Sequence, residues 1–141
     1  MFDAIKVFKD EEDKIQCALK TLDKKELPQN NALLNIEFST LNYKDCLAVT
    51  NKSPVVRKFP MVPGIDLAGS VISCSTNDFS VGEKVVLNGW GHGEVYWGGL
   101  SQMGSYDSKY LIKIPDNFST FDAMAIGTAG YTAMLAVMEI E

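Results

Sequence analysis

The chain has 141 residues, with 18 acidic against 13 basic side chains and a net charge of −5. A chain of this length suits one domain that buries roughly 70% of its unfolded surface. The acidic balance and the lack of any Lys/Arg-rich block argue against nucleic acid and anionic membranes as main partners. The opening Met1-Phe2-Asp3-Ala4-Ile5-Lys6 lacks the pattern of a secretory signal, and no uninterrupted apolar run reaches transmembrane length. A cytoplasmic location is therefore expected.

Cys17, Cys46 and Cys74 are odd in number and far apart, which suits free thiols in a reducing compartment better than a disulfide framework. There is no Cys-x-x-Cys pair and a single histidine, His92, so no metal site is expected.

Taken in order, Ala4 to Phe8 and Ile15 to Leu22 read as two strands joined by the polar turn 10–14, an opening hairpin. After the loop 23–31, Leu34, Ile36 and Phe38 alternate with polar residues and predict a half-buried strand. Residues 42–49 are mixed and suit one or two helical turns before Asn51-Lys52-Ser53-Pro54. The corner Pro60-Met61-Val62-Pro63-Gly64 then feeds a strand from Ile65. On that strand Ile65, Leu67, Gly69 and Val71 share one face, and Asp66, Ala68, Ser70 and Ile72 the other. Small Ala68 and Gly69 invite close approach by a backbone or a flat ligand. Asp66 lies between Ile65 and Leu67, where a carboxylate is costly unless donors meet it. A buried structural Asp tying two turns together is the favoured reading, with a catalytic role as its rival.

Gly69 to Cys74 continues the strand, Lys84 to Leu87 forms another, and Phe79 and Val81 are expected over one end of the core. The stretch Asn88 to Leu100 interleaves five glycines with Trp90, Tyr96 and Trp97, a loop that must be held by its aromatic anchors. It lacks the third glycine of a dinucleotide fingerprint. Leu111 to Ile114 predicts a last strand, and Ser119-Thr120-Phe121-Asp122 a capping box opening a helix. Gly127-Thr128-Ala129-Gly130 interrupts that helix, and Tyr131 to Ile140 restarts it, apolar on nearly every face. Such a helix expects neighbours on all sides, from further protein or from a partner. The whole is mainly β (α+β).

Several segments together carry a family resemblance. They are Asn42-Tyr43-Lys44-Asp45, Phe59 to Gly69, Val81-Gly82-Glu83-Lys84-Val85, Gly89-Trp90-Gly91 with Trp97-Gly98-Gly99-Leu100, and Gly127 to Met134. In this order they resemble the medium-chain dehydrogenase/reductase superfamily, and most closely its zinc-free, quinone-oxidoreductase-like branch typified by acryloyl-CoA reductase. The resemblance implies a GroES-like, partly open β-barrel over 1–126. It also implies a connection over 127–141 leading into a Rossmann domain that binds NADPH and is absent from this chain.

By the same resemblance, the intact enzyme reduces the C=C bond of an enoyl thioester or acts on a quinone, and this chain alone is expected to be inactive. Tyr43 matches a catalytic position beside the nicotinamide, and Asn42 and Thr132 match positions near the cofactor. Trp90, His92 and Trp97 are candidates for the acyl pocket, where His92 could relay a proton. A lone histidine among glycines more often sits simply in a surface loop. Lys44 and Asp45 read as a solvated pair, and Cys46 as a small buried hydrophobe. The rival reading is a free-standing GroES-like module that binds a partner or self-associates through its last helix, without catalysis.

Overall fold

The protein is described here as a computed structural model covering residues 1–140. Strands β1 (Phe2–Lys9) and β2 (Ile15–Leu22) form the expected antiparallel hairpin, with Lys9 opposite Ile15. Its turn closes because Asp10 Oδ1 accepts from the amides of Glu12 and Lys14 at 3.0 and 2.9 Å, a side chain standing in for backbone. The second sheet comprises β3 (Ala32–Ser39), β4 (Asp66–Cys74), β5 (Lys84–Asn88), β6 (Met103–Tyr106) and β7 (Ile112–Lys113). Their spatial order is β6-β3-β4-β5-β7, antiparallel throughout.

The hairpin joins this sheet at a few points. Val7 exchanges backbone bonds of 2.7 and 2.8 Å with Met61, and the Ile5 and Gln102 amides reach Leu100 O and Asp3 O at 2.9 Å. The result is a mainly β, partly open barrel, as expected.

Strand β4 is central and buried on both faces over its first half, which is why its sequence reads as nearly continuous apolar residues. Leu67 and Val71 join Leu34, Leu87 and Tyr106 in the main core, while Ala68 on the other face packs with Ile114 and Met124. A side chain at Gly69 would sit 2.0 Å from the Asn35 carbonyl, so the close approach foreseen there is made by the β3 backbone.

Some expectations are corrected. Strand β6 is not legible in Met-Gly-Ser-Tyr and exists because β3 offers Ala32–Asn35 as a pairing edge. Strand β7 is only two residues long, because Leu111 and Ile114 leave the ladder to enter separate clusters. Val81 is exposed in a turn, leaving Phe79 alone against the core. The register of β3 shifts between Ile36 and Phe38, which breaks the alternation and leaves Phe38 exposed.

Two helices complete the chain. Helix α1 (Tyr43–Thr50) settles the mixed segment as helical. Helix α2 (Thr120–Ile140) opens on the predicted capping box: the Asp122 amide donates to Ser119 Oγ at 3.1 Å, and the Ser119 amide to Asp122 Oδ2 at 2.9 Å. The interruption is confined to Gly127, at φ 53° and ψ −168°, and the helix resumes at Thr128.

Beyond the break Tyr131, Met134, Leu135, Val137, Met138 and Ile140 stand exposed. By length and composition alone α2 is long and apolar enough to cross a membrane, although Asp122, Thr128 and Thr132 interrupt its apolar run. In this fold, however, its first half packs on the sheet and its middle is tied down by the contacts described next.

Candidate active-site face

Asp66 opens β4 and is fully buried, yet among the described residues no cation pairs with it. Its carboxylate instead accepts five hydrogen bonds. Thr40 Oγ1 donates at 2.7 Å, Asn42 Nδ2 at 3.0 Å, Asn88 Nδ2 at 2.9 Å and the Thr128 amide at 3.0 Å, with Thr128 Oγ1 as the fifth donor. Burial pushes the Asp66 carboxyl upward, but the Thr128, Asn88 and Thr40 bonds outweigh it and hold the group below the usual carboxylate range.

Three separate pieces of chain therefore converge on one anion: the link between β3 and α1, the end of β5 and the break in α2. Gly127 makes the last approach possible. Its backbone conformation is essentially restricted to glycine, and a side chain there would stand 3.2 Å from both Asp66 Oδ2 and Thr40 Cγ2. Asp66 thus ties turns together, as the favoured sequence reading had it.

The expected site residues are arranged around this hub. Asn42 caps α1, and its amide nitrogen is committed to Thr40 Oγ1 at 2.8 Å and to Asp66. Tyr43 follows at the first position of α1 and is 81% exposed, so its hydroxyl is free to meet a ligand. Thr132 is an exposed residue inside α2, one turn beyond Thr128 on the same helix face, and not a cap. The fold therefore brings Asn42 and Thr128 onto one carboxylate, with Tyr43 next in sequence to the first and Thr132 one turn along α2 from the second. On the other side of Gly127 an open groove of about 360 Å³ runs between β5, β7 and α2, lined by Asn88, Gly127, Gly130, Tyr131 and Met134 among others.

Neighbouring expectations change. Asp45 is buried, not solvated, and accepts from the amides of Asn42 at 2.8 Å and Ile65 at 3.0 Å. Burial pushes its carboxyl up, and the nearby Asp66 charge adds to the shift. Lys44 pairs instead with Glu94 at 2.7 Å, pinning α1 to the glycine-rich loop. Cys46 is exposed, because α1 turns that side to solvent.

Thr40, Asn88 and Thr128 were not foreseen as partners of Asp66. The available signal was the need itself: a carboxylate between two apolar residues requires donors, and short polar residues beside glycine at Asn88-Gly89 and Gly127-Thr128 can supply them.

The three candidates for an acyl pocket divide. His92 and Trp97 line a cavity of about 360 Å³ that Trp90 does not reach. Trp90 is exposed at the loop surface, stacked on Tyr110 with ring centroids 5.6 Å apart. His92 is only 3% exposed, not a surface loop residue, and packs against Tyr106 at 5.6 Å. Tyr106 belongs to the core on the Leu67 side of β4, so His92 and Asp66 occupy opposite faces of that strand. Among the described residues no three His, Cys, Asp or Glu side chains gather as a metal site would require.

Residues 28–116 match the alcohol dehydrogenase GroES-like domain. The chain belongs to that family. Acrylyl-CoA reductase AcuI of Ruegeria pomeroyi is 48% identical over 142 residues, a match spanning 100% of this chain and 43% of the relative. The yhdH oxidoreductase of Salmonella enterica, solved in complex with NADP, superimposes with a TM-score of 0.91 at 40% identity, covering 97% of this chain and 42% of that one. The Bacillus subtilis protein yhfP with NAD bound gives a TM-score of 0.89 at 35% identity, again over 98% and 42% of the two chains.

The sequence thus spans about two fifths of the length of these relatives. The resemblance to the quinone-oxidoreductase-like branch of the medium-chain dehydrogenase/reductase superfamily is borne out. In this chain the Asp66 hub, together with the packing of Met124 on Ala68 and Ile114, ties the last helix to the barrel.

Proposed function

We propose that this GroES-like domain is the catalytic portion of an NADPH-dependent reductase of α,β-unsaturated acyl-CoA thioesters of the acryloyl type, with quinones as the alternative substrates. The observation that carries the reading is Tyr43. A phenol 81% exposed at the first position of α1, next in sequence to Asn42, which Asp66 holds fixed, is a donor carried on a rigid base. The flat groove past Gly127 and Gly130, where two residues lack side chains, suits a planar ring. When bound, a reduced nicotinamide supplies the hydride that adds to the β-carbon of the enoyl group.

The chain's own residues do the rest. Tyr43 would donate toward the thioester oxygen as negative charge builds there, a stabilisation that strengthens in the transition state, and the resulting enolate would take a proton at its α-carbon from solvent to complete the saturated thioester. Asp66 fixes Asn42 and Thr128, which sets the angle of α1 and the direction of the Thr132 face. Gly127 is the joint between the barrel, 1–126, and the connection beginning at 127. The exposed apolar face of α2 is covered in the whole protein by its nucleotide-binding half. The three unbridged cysteines suit a reducing cytoplasm.

Two measurements test this. The chain alone binds NADPH only at millimolar concentration, because most dinucleotide contacts lie in a Rossmann half; micromolar binding in a fluorescence titration would misplace the site. Joined to the nucleotide-binding half of the Ruegeria reductase, the chain acquires acryloyl-CoA-dependent NADPH oxidation, and Tyr43→Phe lowers kcat about 100-fold. A folded chimera that binds NADPH yet turns over neither acryloyl-CoA nor a quinone would refute the reading.

A further inference from the structure

The cavity beneath the loop 89–100 contains one polar atom that the fold leaves unused. His92 Nδ1 lies 2.9 Å from the Gly89 carbonyl, and a carbonyl only accepts, so Nδ1 carries the proton and Nε2 is a bare acceptor. Burial holds the imidazole pKa below its usual value, against a smaller upward pull from the Gly89 bond, which keeps the ring neutral. Among the described residues Nε2 has no hydrogen-bond partner, yet no fully buried side-chain nitrogen or oxygen lacks one. Nε2 therefore reaches the open space of the cavity whose wall His92 forms.

The rest of the wall narrows the occupant. Phe59, Met61, Tyr96, Trp97 and Tyr110 present apolar and aromatic surface. Most of the polar lining is already spent. Asn30 donates to Ser105 O at 2.8 Å and to Ser105 Oγ at 3.2 Å, Lys109 pairs with Asp107 at 2.7 Å, and Trp97 Nε1 donates to Pro60 O at 3.0 Å. Lys58, at the exposed rim, has no ion pair among the described residues.

An enclosed apolar space of about 150 Å³ holds benzene, so about 360 Å³ takes a two-ring molecule. We infer that this cavity binds a small bicyclic aromatic acid bearing a hydroxyl group, the hydroxyl donating inward to His92 Nε2 and the carboxylate facing Lys58 at the mouth. The site lies on the face of β4 opposite Asp66 and does not depend on the reductase reading.

The probe is 6-hydroxy-2-naphthoate, titrated calorimetrically into the full chain, with 6-methoxy-2-naphthoate as the matched compound that lacks the donor. The hydroxy compound binds, shifts the His92 ring and Trp97 indole resonances, and is about tenfold tighter than the methoxy compound. His92→Phe keeps the aromatic packing and brings the two compounds level, whereas Lys58→Gln weakens both about threefold. Equal affinity of the two compounds for the unaltered chain would overturn the inference, as would no binding and no His92 shift at millimolar concentration. Should His92→Phe fail to fold, the comparison of compounds on the unaltered chain still decides.

Discussion

The two faces of β4 handle buried polarity in opposite ways. On one face Asp66 is met by five donors and keeps no acceptor for a ligand; on the other, His92 uses one ring nitrogen and leaves the second idle. A saturated buried group is architecture, because any ligand would have to displace bonds already made. A buried group with a spare atom facing open space is free to recognise. By this contrast the carboxylate that looks most chemical in the sequence serves as a fastener, and the catalytic role on its side is the one proposed for the exposed hydroxyl of Tyr43.

The largest effect should come from breaking the saturated side. Asp66→Asn turns one acceptor into a donor facing donors and should cost roughly 3 kcal/mol, read from the urea midpoint. The acid limb of stability should change with it. Asp66 has a depressed folded pKa, so its contribution is present above the ordinary value of 3.8 and lost as pH falls below it. Asp45, whose carboxyl is raised, acts with the opposite sign: its contribution is complete below 3.8 and lost as pH climbs through its raised value. A variant as stable as the parent, with an unchanged acid limb, would show that the hub is not a fastener.

Gly127→Ala comes next, at about 1–3 kcal/mol, since alanine must either hold a glycine-only conformation or push Asp66 aside. Loss of the Thr128 amide's protection in hydrogen exchange would locate the damage. On the aromatic side, His92→Phe removes one bond to Gly89 and should cost about 1 kcal/mol. The folded state disfavours imidazolium, so the parent loses stability as pH falls from 6.5 through the lowered folded value. The variant should be flat across that window, and an unaltered slope would place the titration elsewhere. The smallest effect is that of Lys44→Ala, within about 0.5 kcal/mol, because its pair with Glu94 is half exposed.

Much of the scaffold was legible because its signals are local. The β1–β2 hairpin, the capping box at Ser119 and Asp122 and the break at Gly127 each depend on residues within a few positions of one another. Strand β6 was not legible, because pairing with β3 creates it from residues of little strand preference. The exposure of Val81, Phe38 and Cys46 was missed for a related reason: it follows from a turn, a bulge and a helix orientation that distant packing sets.

The site divides along the same line. Residue types alone showed that Asp66 needed donors, a matter of local chemistry, whereas Tyr43, Asn42 and Thr132 were singled out only by the family resemblance. Only the tertiary structure decided which donors arrive, since Thr40, Asn88 and Thr128 are brought to the carboxylate by three different crossings of the chain. It alone buried His92 against Tyr106 and left Nε2 facing open space. Whether a polar atom is spent or spare is fixed by neighbours far away in sequence, which a linear pattern does not contain.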